Sequence, residues 1–135
     1  MGEVTIHTDA SVDRSVNRAG IGWILKAESQ PDASHSTTVS YHSSTAVEWL
    51  AIVHALSWIQ LNRDADSVTV YTDSHSVAVV ADGSSTPSAR MTHKWYSRFQ
   101  KVEEYFQSVT VRYIPSHQNR EADRLARQSI REGRT

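Results

Sequence analysis

The chain contains no cysteine, which excludes disulfide bonds and metal sites built on thiolates. It also lacks any apolar run long enough to cross a bilayer, and its N-terminus has no basic-then-apolar signal pattern. We therefore expect a cytoplasmic protein that has no membrane partner. Neither sign of charge dominates, since the formal net charge is −1, so a nucleic-acid partner would have to be bound by a local basic patch.

No internal repeat or low-complexity segment interrupts the chain. Its residues are 39% hydrophobic and 21% charged, which is typical of a soluble globular protein. A length of 135 residues is enough for one domain with a buried core and too short for two. We therefore expect a single domain over residues 1–135 and, because no exposed apolar stripe is left over, a monomer.

Hydrophobic periodicity predicts the element order βββαβααβα. Strands are predicted at Val4–Thr8, Gly20–Lys26, Thr37–Tyr41, Ser67–Tyr71 and Val109–Ile114. Helices are predicted at Ala46–Leu61, Ser74–Ala81, Met91–Gln107 and Asn119–Arg131. The first helix has so wide an apolar surface that we expect it to be buried on more than one side. Thr45 and Glu48 fit a capping box at its start.

Four acidic residues lie near the ends of these elements, namely Asp9, Glu48, Asp73 and Asp123. Asp9 and Asp73 repeat one pattern, in which an apolar-rich strand closes in Thr-Asp followed by a small residue. Short links predict an antiparallel meander for the first three strands, and right-handed crossovers make strands four and five parallel to strand one. If strand four lies beside strand one, Asp9 and Asp73 become neighbours, and Glu48 at the start of the helix joins them.

Converging carboxylates repel one another, so they imply either raised pKa values or bound cations. A set made only of Asp and Glu suits Mg²⁺ better than zinc, because Mg²⁺ prefers hard oxygen ligands. Taken singly, each of these residues is explained equally well as a turn, cap or helix-dipole residue. The catalytic interpretation depends on the four occurring together.

On these residues the chain resembles ribonuclease H of type 1. The resemblance covers nearly the whole chain, and its segments are Thr8-Asp9-Ala10-Ser11, Gly20-Ile-Gly22, Glu48, Tyr71-Thr-Asp73-Ser74, Ile114-Pro-Ser-His117 and Asn119-Arg-Glu-Ala-Asp123-Arg-Leu-Ala126. It implies the ribonuclease H-like α/β fold, a five-stranded mixed sheet in the order 3-2-1-4-5 with helices on both faces. It also implies an endonuclease that hydrolyses the RNA strand of RNA/DNA hybrids.

The resemblance assigns roles to five residues. In this family the four carboxylates, which correspond to Asp9, Glu48, Asp73 and Asp123, hold two Mg²⁺ ions, and Mn²⁺ is a substitute. Two ions roughly 4 Å apart can stabilise charge on both the attacking and the leaving oxygen. The loop histidine of the family, which assists the reaction, corresponds to His117, and a histidine can shuttle a proton near neutral pH.

Small polar residues near the predicted site are the candidates for substrate binding, at places where the family often carries Asn or Gln. RNA is identified by its 2′-hydroxyl groups, which are read in the minor groove. The candidates are Ser11, Ser15, Ser43, Ser44, Thr45, Ser74 and His75. Lys94, Arg98 and Lys101 recur at helical spacing as a basic stripe, which could follow phosphates or could simply be a solvated helix face.

Two alternatives remain open at this point. The same fold could serve another metal-dependent nuclease, cutting double-stranded RNA, RNA–DNA junctions or DNA. It could also serve a nucleic-acid-binding module without catalysis, although the four carboxylates argue against that alternative.

The stretch between Asp73 and His117 is short, so the chain resembles members that lack a basic handle. The segment from His117 to Asp123 is also short and resembles the compact ending of archaeal and retroelement-related members. We therefore predict that hybrid binding is weaker and more salt-sensitive than in members that have the handle. A titration of hybrid affinity against salt concentration measures this, and a flat response would contradict binding that is dominated by phosphate contacts.

Overall fold

The structure, a computed structural model, describes residues 2–40, 43–86 and 90–132. Five strands form one sheet in the order β3-β2-β1-β4-β5. They are β1 (Glu3–Asp13), β2 (Arg18–Ala27), β3 (Ala33–Ser40), β4 (Ser67–Thr72) and β5 (Ser108–Tyr113). The pairs β1–β2 and β2–β3 are antiparallel, whereas β1–β4 and β4–β5 are parallel. The predicted mixed sheet and its strand order are confirmed.

Four α-helices accompany the sheet, in the predicted order. They are α1 (Ser44–Asn62), α2 (His75–Ala81), α3 (Arg90–Glu103) and α4 (Arg120–Glu132), with short 3-10 helices at Arg14–Val16 and Ser116–Gln118. Most predicted boundaries differ from these by one to four residues, as is usual where helix and strand ends fray. Tyr41, the predicted last residue of the third strand, lies outside the described residues.

The predicted end of the first strand at Thr8 is wrong. β1 continues through the segment after Thr8 as far as Asp13, which pairs with Arg18 across the hairpin to β2. The antiparallel ladder is made by backbone groups, so polar side chains do not interrupt it. The parallel pairing with β4, in contrast, ends at His7 and Tyr71. Asp9 therefore lies where β1 leaves β4, rather than at the end of its strand.

The predicted capping box at Thr45 and Glu48 is also wrong. The N-cap of α1 is Ser43, whose hydroxyl oxygen accepts a hydrogen bond from the backbone N–H of Ala46 at 3.1 Å. A serine in this place satisfies one of the free N–H groups of the first turn. Because α1 begins two residues earlier than the box requires, Glu48 is not at the capping position and its side chain is available for another role.

Helix α1 lies on one face of the sheet and is buried on more than one side, as predicted. Trp49 packs against Tyr96 and Phe99 of α3, with ring centroids 5.6 and 5.4 Å apart. Val47 and Ala51, on another side of the helix, are fully buried against β2. No helix within the described part of the chain is both long and apolar enough to span a membrane.

Helix α4 covers the opposite face of the sheet, where two glycines of β2 allow a close approach. A Cβ atom added at Gly22 would lie 2.5 Å from the backbone nitrogen of Ala126, and 2.7 Å from the carbonyl oxygen of Ala122. One added at Gly20 would lie 2.4 Å from the carbonyl oxygen of Ala126. These contacts are with backbone, so any side chain at either glycine must push α4 away from the sheet.

We predict that Gly22→Ala destabilises the protein by about 1–3 kcal/mol, since overpacking of a well-packed interface costs this much. Chemical unfolding measures the loss. Gly83→Ala is the matched control, because a Cβ there meets nothing within 4 Å and only its backbone, at φ +85°, opposes the change. A loss at Gly22 of less than about 1 kcal/mol would contradict the close packing of α4 on β2.

Candidate metal centre and active site

Three carboxylates from three different elements meet at one edge of the sheet. Asp9 lies in β1 just beyond its pairing with β4, and Asp73 directly follows β4. Glu48 reaches them from the second turn of α1. Each contributes a carboxylate oxygen, and these oxygens all lie within 4.8 Å of one another. The sequence-based prediction that these three residues meet is therefore confirmed.

Glu48 is held in the cluster by the apolar packing of its neighbours along α1. Val47 and Trp49 on either side of it are fully buried. The Oε2 atom of Glu48 is buried and has no hydrogen-bond partner among the described residues. Burial, followed by the charges of Asp9 and Asp73, raises the pKa of Glu48 well above its usual value. A buried oxygen without a donor, beside two further carboxylates, fits a cation-binding position.

Asp9 is the most enclosed member of the cluster with respect to solvent, at 4% exposure. Its Oδ1 accepts a hydrogen bond from the backbone N–H of Ala10 at 2.9 Å, which favours the charged form. Burial and the charge of Asp73 outweigh that bond, with smaller contributions from Asp123, and raise the pKa of Asp9 to about 8. Negative charge is thus concentrated in a place that water cannot easily stabilise, where a divalent cation would relieve the repulsion.

Asp123 lies at the flank of the three-carboxylate cluster rather than inside it. It sits in the first turn of α4, and its Oδ1 accepts a hydrogen bond from Nε of Arg127 at 3.0 Å. It is nevertheless close enough to Asp9 to raise the pKa of that residue through its charge and a hydrogen bond. The structure therefore brings all four predicted carboxylates to one region, with Asp123 more exposed than Asp9.

Asn119 is a positioning residue to which the sequence assigned no role. It is 1% exposed, and its Nδ2 donates a hydrogen bond of 2.8 Å to the carbonyl oxygen of Thr8. This bond joins the start of α4 to β1 one residue before Asp9, and so fixes Asp123 relative to Asp9. The only sequence signal was its place at the start of the segment from Asn119 to Ala126, and that place does not reveal a partner 111 residues away.

His117 occupies an exposed 3-10 turn between β5 and α4, which agrees with its predicted place between a strand and a helix. It lines a cleft on the α4 side of the sheet together with His7, Lys26 and Glu121. Within the described residues it forms no hydrogen bond or ion pair with the three carboxylates. The structure thus places the imidazole near the start of α4, where solvent reaches it, and its catalytic role stays a prediction.

Several of the predicted substrate-binding residues border the carboxylates. Ser11 lies two residues beyond Asp9 on β1, and the segment from Ser43 to Thr45 begins α1. Two of the hydroxyl groups already have structural partners: Ser43 caps α1, and Ser74 caps α2. Contact with RNA by these residues remains a prediction.

Two further candidates stand farther out. Ser15 belongs to the 3-10 turn of the β1–β2 hairpin and donates a hydrogen bond from its hydroxyl to Oδ1 of Asp13. His75 opens α2 and meets the ring of Tyr113 edge to face, with centroids 5.5 Å apart. Tyr113 is about half exposed at the end of β5, so the two rings form an accessible aromatic pair beside Asp73.

Two residues of the basic stripe predicted on α3 contact a tryptophan of the same helix, and phosphate binding by the stripe stays a prediction. Arg98 and Lys94 lie over the ring of Trp95, with the guanidinium carbon 4.5 Å and the ammonium nitrogen 5.9 Å from its centroid. Lys101 is in the last turn of α3, which leads to the start of β5 and hence to the end of the sheet opposite Asp73. The structure therefore shows that Arg98 and Lys94 pack against the ring of Trp95.

Comparisons with known proteins agree with this geometry. The family model described as reverse transcriptase-like matches residues 7–129 of the chain. No curated protein has a sequence that matches this one. Because the family match covers most of the chain, it establishes membership.

Solved structures share the fold along the whole chain. Ribonuclease H1 named LC11, isolated from compost by a metagenomic approach, has a TM-score of 0.88 and 21% identity, with 100% of both chains covered. Its complex with an RNA/DNA hybrid has a TM-score of 0.87 and 19% identity, with 98% of this chain and 99% of that one covered. Ribonuclease H1 from the halophilic archaeon Halobacterium salinarum has a TM-score of 0.86 and 20% identity, with 97% and 99% covered.

Identities near 20% show a common fold and leave the activity to be argued from the site. The strand order and the helices on both faces match those of the ribonuclease H1 structures. The chain therefore belongs to the reverse transcriptase-like family and has the ribonuclease H fold, and its predicted resemblance to type 1 ribonuclease H is confirmed.

Proposed function

We propose that the protein is a metal-dependent endonuclease that hydrolyses the RNA strand of RNA/DNA hybrids. The observation that carries this proposal is the meeting of Asp9, Glu48 and Asp73, with one buried carboxylate oxygen left without a donor. The common fold with ribonuclease H1, of which one structure is a complex with an RNA/DNA hybrid, supports the substrate class. Carboxylates held this close repel one another, and a bound cation would relieve that repulsion.

Mg²⁺ is the ion that we propose for the cluster. The donor set contains only carboxylate oxygens, which are hard ligands, and Mn²⁺ is a suitable substitute because it accepts the same ligands. Asp9, Glu48 and Asp73 would hold the metal, and Asp123 at their flank would complete a site for two ions. When bound, such ions stabilise charge on the attacking and leaving oxygens and lower the pKa of a bound water.

The protein's own side chains supply the other functions of the site, namely charge, proton transfer and contact with the ribose. Burial raises the pKa of Asp9 and of Glu48, so a bound cation would favour the charged forms of both carboxylates and link hydrolysis to metal binding. His117 is exposed on its turn, and its imidazole can take up or release a proton as the product leaves. Ser11, Ser43 and Ser74 border the cluster and can donate hydrogen bonds to the ribose hydroxyls that distinguish RNA from DNA.

We predict that the chain cleaves labelled RNA/DNA hybrid in Mg²⁺ or Mn²⁺, and that Asp9→Asn and Asp73→Asn lower the rate more than about 100-fold. Removing the charge of a metal ligand should lower the rate by more than the 10–100-fold that is lost when a group that only orients a ligand is removed. The control is Asp32→Asn, at an exposed turn far from the cluster, which should keep the rate. The panel includes double-stranded RNA, RNA–DNA junctions and double-stranded DNA. Unchanged activity in either cluster variant would refute the proposal. Faster cleavage of another substrate in the panel would replace the hybrid as the proposed substrate.

We also predict that Asp9→Asn stabilises the metal-free protein at pH 8. The folded-state pKa of Asp9, about 8, lies above its usual value of 3.8. The protonated carboxyl therefore contributes stability that is fully present below about pH 4 and is lost as the pH rises to about 8. The asparagine variant should be more stable by up to about 5 kcal/mol at pH 8, since each unit of raised pKa corresponds to about 1.4 kcal/mol, and nearly equal to the parent at pH 4.

Thermal unfolding at the two pH values, with EDTA and then with Mg²⁺ or Mn²⁺, measures both effects. The ion should raise the melting temperature of the parent protein at pH 8 more than that of Asp9→Asn. Asp32→Asn should follow the parent in every condition. An asparagine variant that is equally destabilised at pH 4 and pH 8 would show that Asp9 has a structural role instead.

A further inference from the structure

Four arginines form a ridge along the exposed side of α4. Arg120, Arg124, Arg127 and Arg131 are spaced by four, three and four residues, which confines them to an arc of about 60° around the helix axis. All four are exposed. The buried side of the same helix faces the sheet with apolar residues, namely Ala122, Leu125, Ala126 and Ile130. We call the four side chains the arginine ridge.

Most of the ridge has no internal counter-charge. Arg127 bonds to Asp123, whereas Arg120, Arg124 and Arg131 have no ion pair with any carboxylate that the structure describes. Glu121 is directed to the flank of the helix, where its Oε1 lies 3.9 Å from Nζ of Lys26. Like charges three and four residues apart on a helix repel one another, so the ridge is a surface that an external anion would stabilise.

Part of the arginine ridge lines a groove beside the strand that carries Asp9. Arg127 and Arg131 line this groove together with the segment Ser11–Asp13, the part of β1 that continues beyond Asp9. Because Ser11 is two residues beyond Asp9, the groove follows β1 away from Asp9 and towards the β1–β2 hairpin. The ridge spans twelve residues of helix from Arg120 to Arg131, or about 16 Å, which corresponds to about five phosphates at 3.4 Å of rise per nucleotide.

We propose that the arginine ridge binds the sugar–phosphate backbone of the duplex substrate, on the side of the carboxylates where β1 continues. This inference rests on the proposed function for the identity of the duplex, an RNA/DNA hybrid. Guanidinium groups bind phosphate oxygens in pairs of hydrogen bonds, and contacts of this kind position a duplex without reading its bases. The ridge thus takes the place of the basic handle, and α4, rather than the predicted stripe on α3, is the phosphate-binding helix.

The test compares single arginine substitutions that remove the same charge at different places. Arg124→Gln and Arg131→Gln, singly and together, change ridge residues that do not contact Asp123. Arg112→Gln is the matched control, since Arg112 is equally exposed but belongs to the edge strand β5. Affinity for labelled hybrid is measured against salt concentration in the Asp9→Asn background, which leaves the duplex intact, and kcat is measured in the active protein.

We expect each ridge substitution to raise Kd about five- to tenfold at low salt, and the double substitution to reduce the slope of log Kd against log salt by about 2. Double-stranded DNA should show the same reduction, because the contacts are to backbone. The control should change Kd less than about twofold, and kcat at saturating hybrid should be retained in all variants. Circular dichroism and thermal unfolding should show that the fold is intact.

Three outcomes would overturn the inference. Unchanged Kd and salt slope in the double variant would mean that the ridge is a solvated helix face. An equal loss in Arg112→Gln would mean that overall charge, rather than the ridge, governs binding. If the Asp9→Asn protein binds no duplex at all, the ridge has no duplex ligand and the inference is wrong. The proposed function is tested separately. It is wrong if the ridge substitutions raise the Kd for the hybrid while the protein that retains Asp9 does not cleave the hybrid.

Discussion

Parallel pairing of β1 with β4 places the chemistry of this protein at one edge of the sheet. The pairing ends at His7 and Tyr71, and from there β1 continues alone with β2, while the chain after β4 turns into α2. Asp9 and Asp73 are the residues at this divergence, where the backbone of each is no longer tied to the other strand. The opening gives Glu48 room to enter from α1.

Bringing these carboxylates together is unfavourable by itself, and the surrounding structure has to hold them. Buried packing around Glu48, the close approach of α4 to Gly20 and Gly22, and the bond from Asn119 to Thr8 all act on this edge. The pKa values of Asp9 and Glu48 are raised first by burial and then by the repulsion among the carboxylates. A divalent cation would relieve it, so the same charges that weaken the metal-free fold would be the reason that it binds metal.

Much of the fold could be predicted because hydrophobic periodicity and chain connectivity are local or nearly local properties. The element order, the sheet order and the meeting of Asp9, Glu48 and Asp73 follow from strand patterns and right-handed crossovers. The errors occurred where backbone bonding overrides side-chain character. β1 runs through the segment Ser11–Asp13 because its ladder uses only backbone groups. Ser43 rather than Thr45 caps α1 because the Ser43 hydroxyl accepts the hydrogen bond from the N–H of Ala46.

The sequence by itself determined the residue types of the site, carboxylates without thiolates, and the strands and helices that carry them. Only the tertiary structure decided which oxygens approach one another, that Asp123 lies at the flank beside Arg127, and that Arg98 and Lys94 cover a tryptophan. It also showed that Arg127 and Arg131 of α4 line the groove beside the segment Ser11–Asp13. The reason is physical: burial, pKa shifts and charge complementarity depend on distances between residues far apart in the chain, and periodicity within one element does not contain those distances.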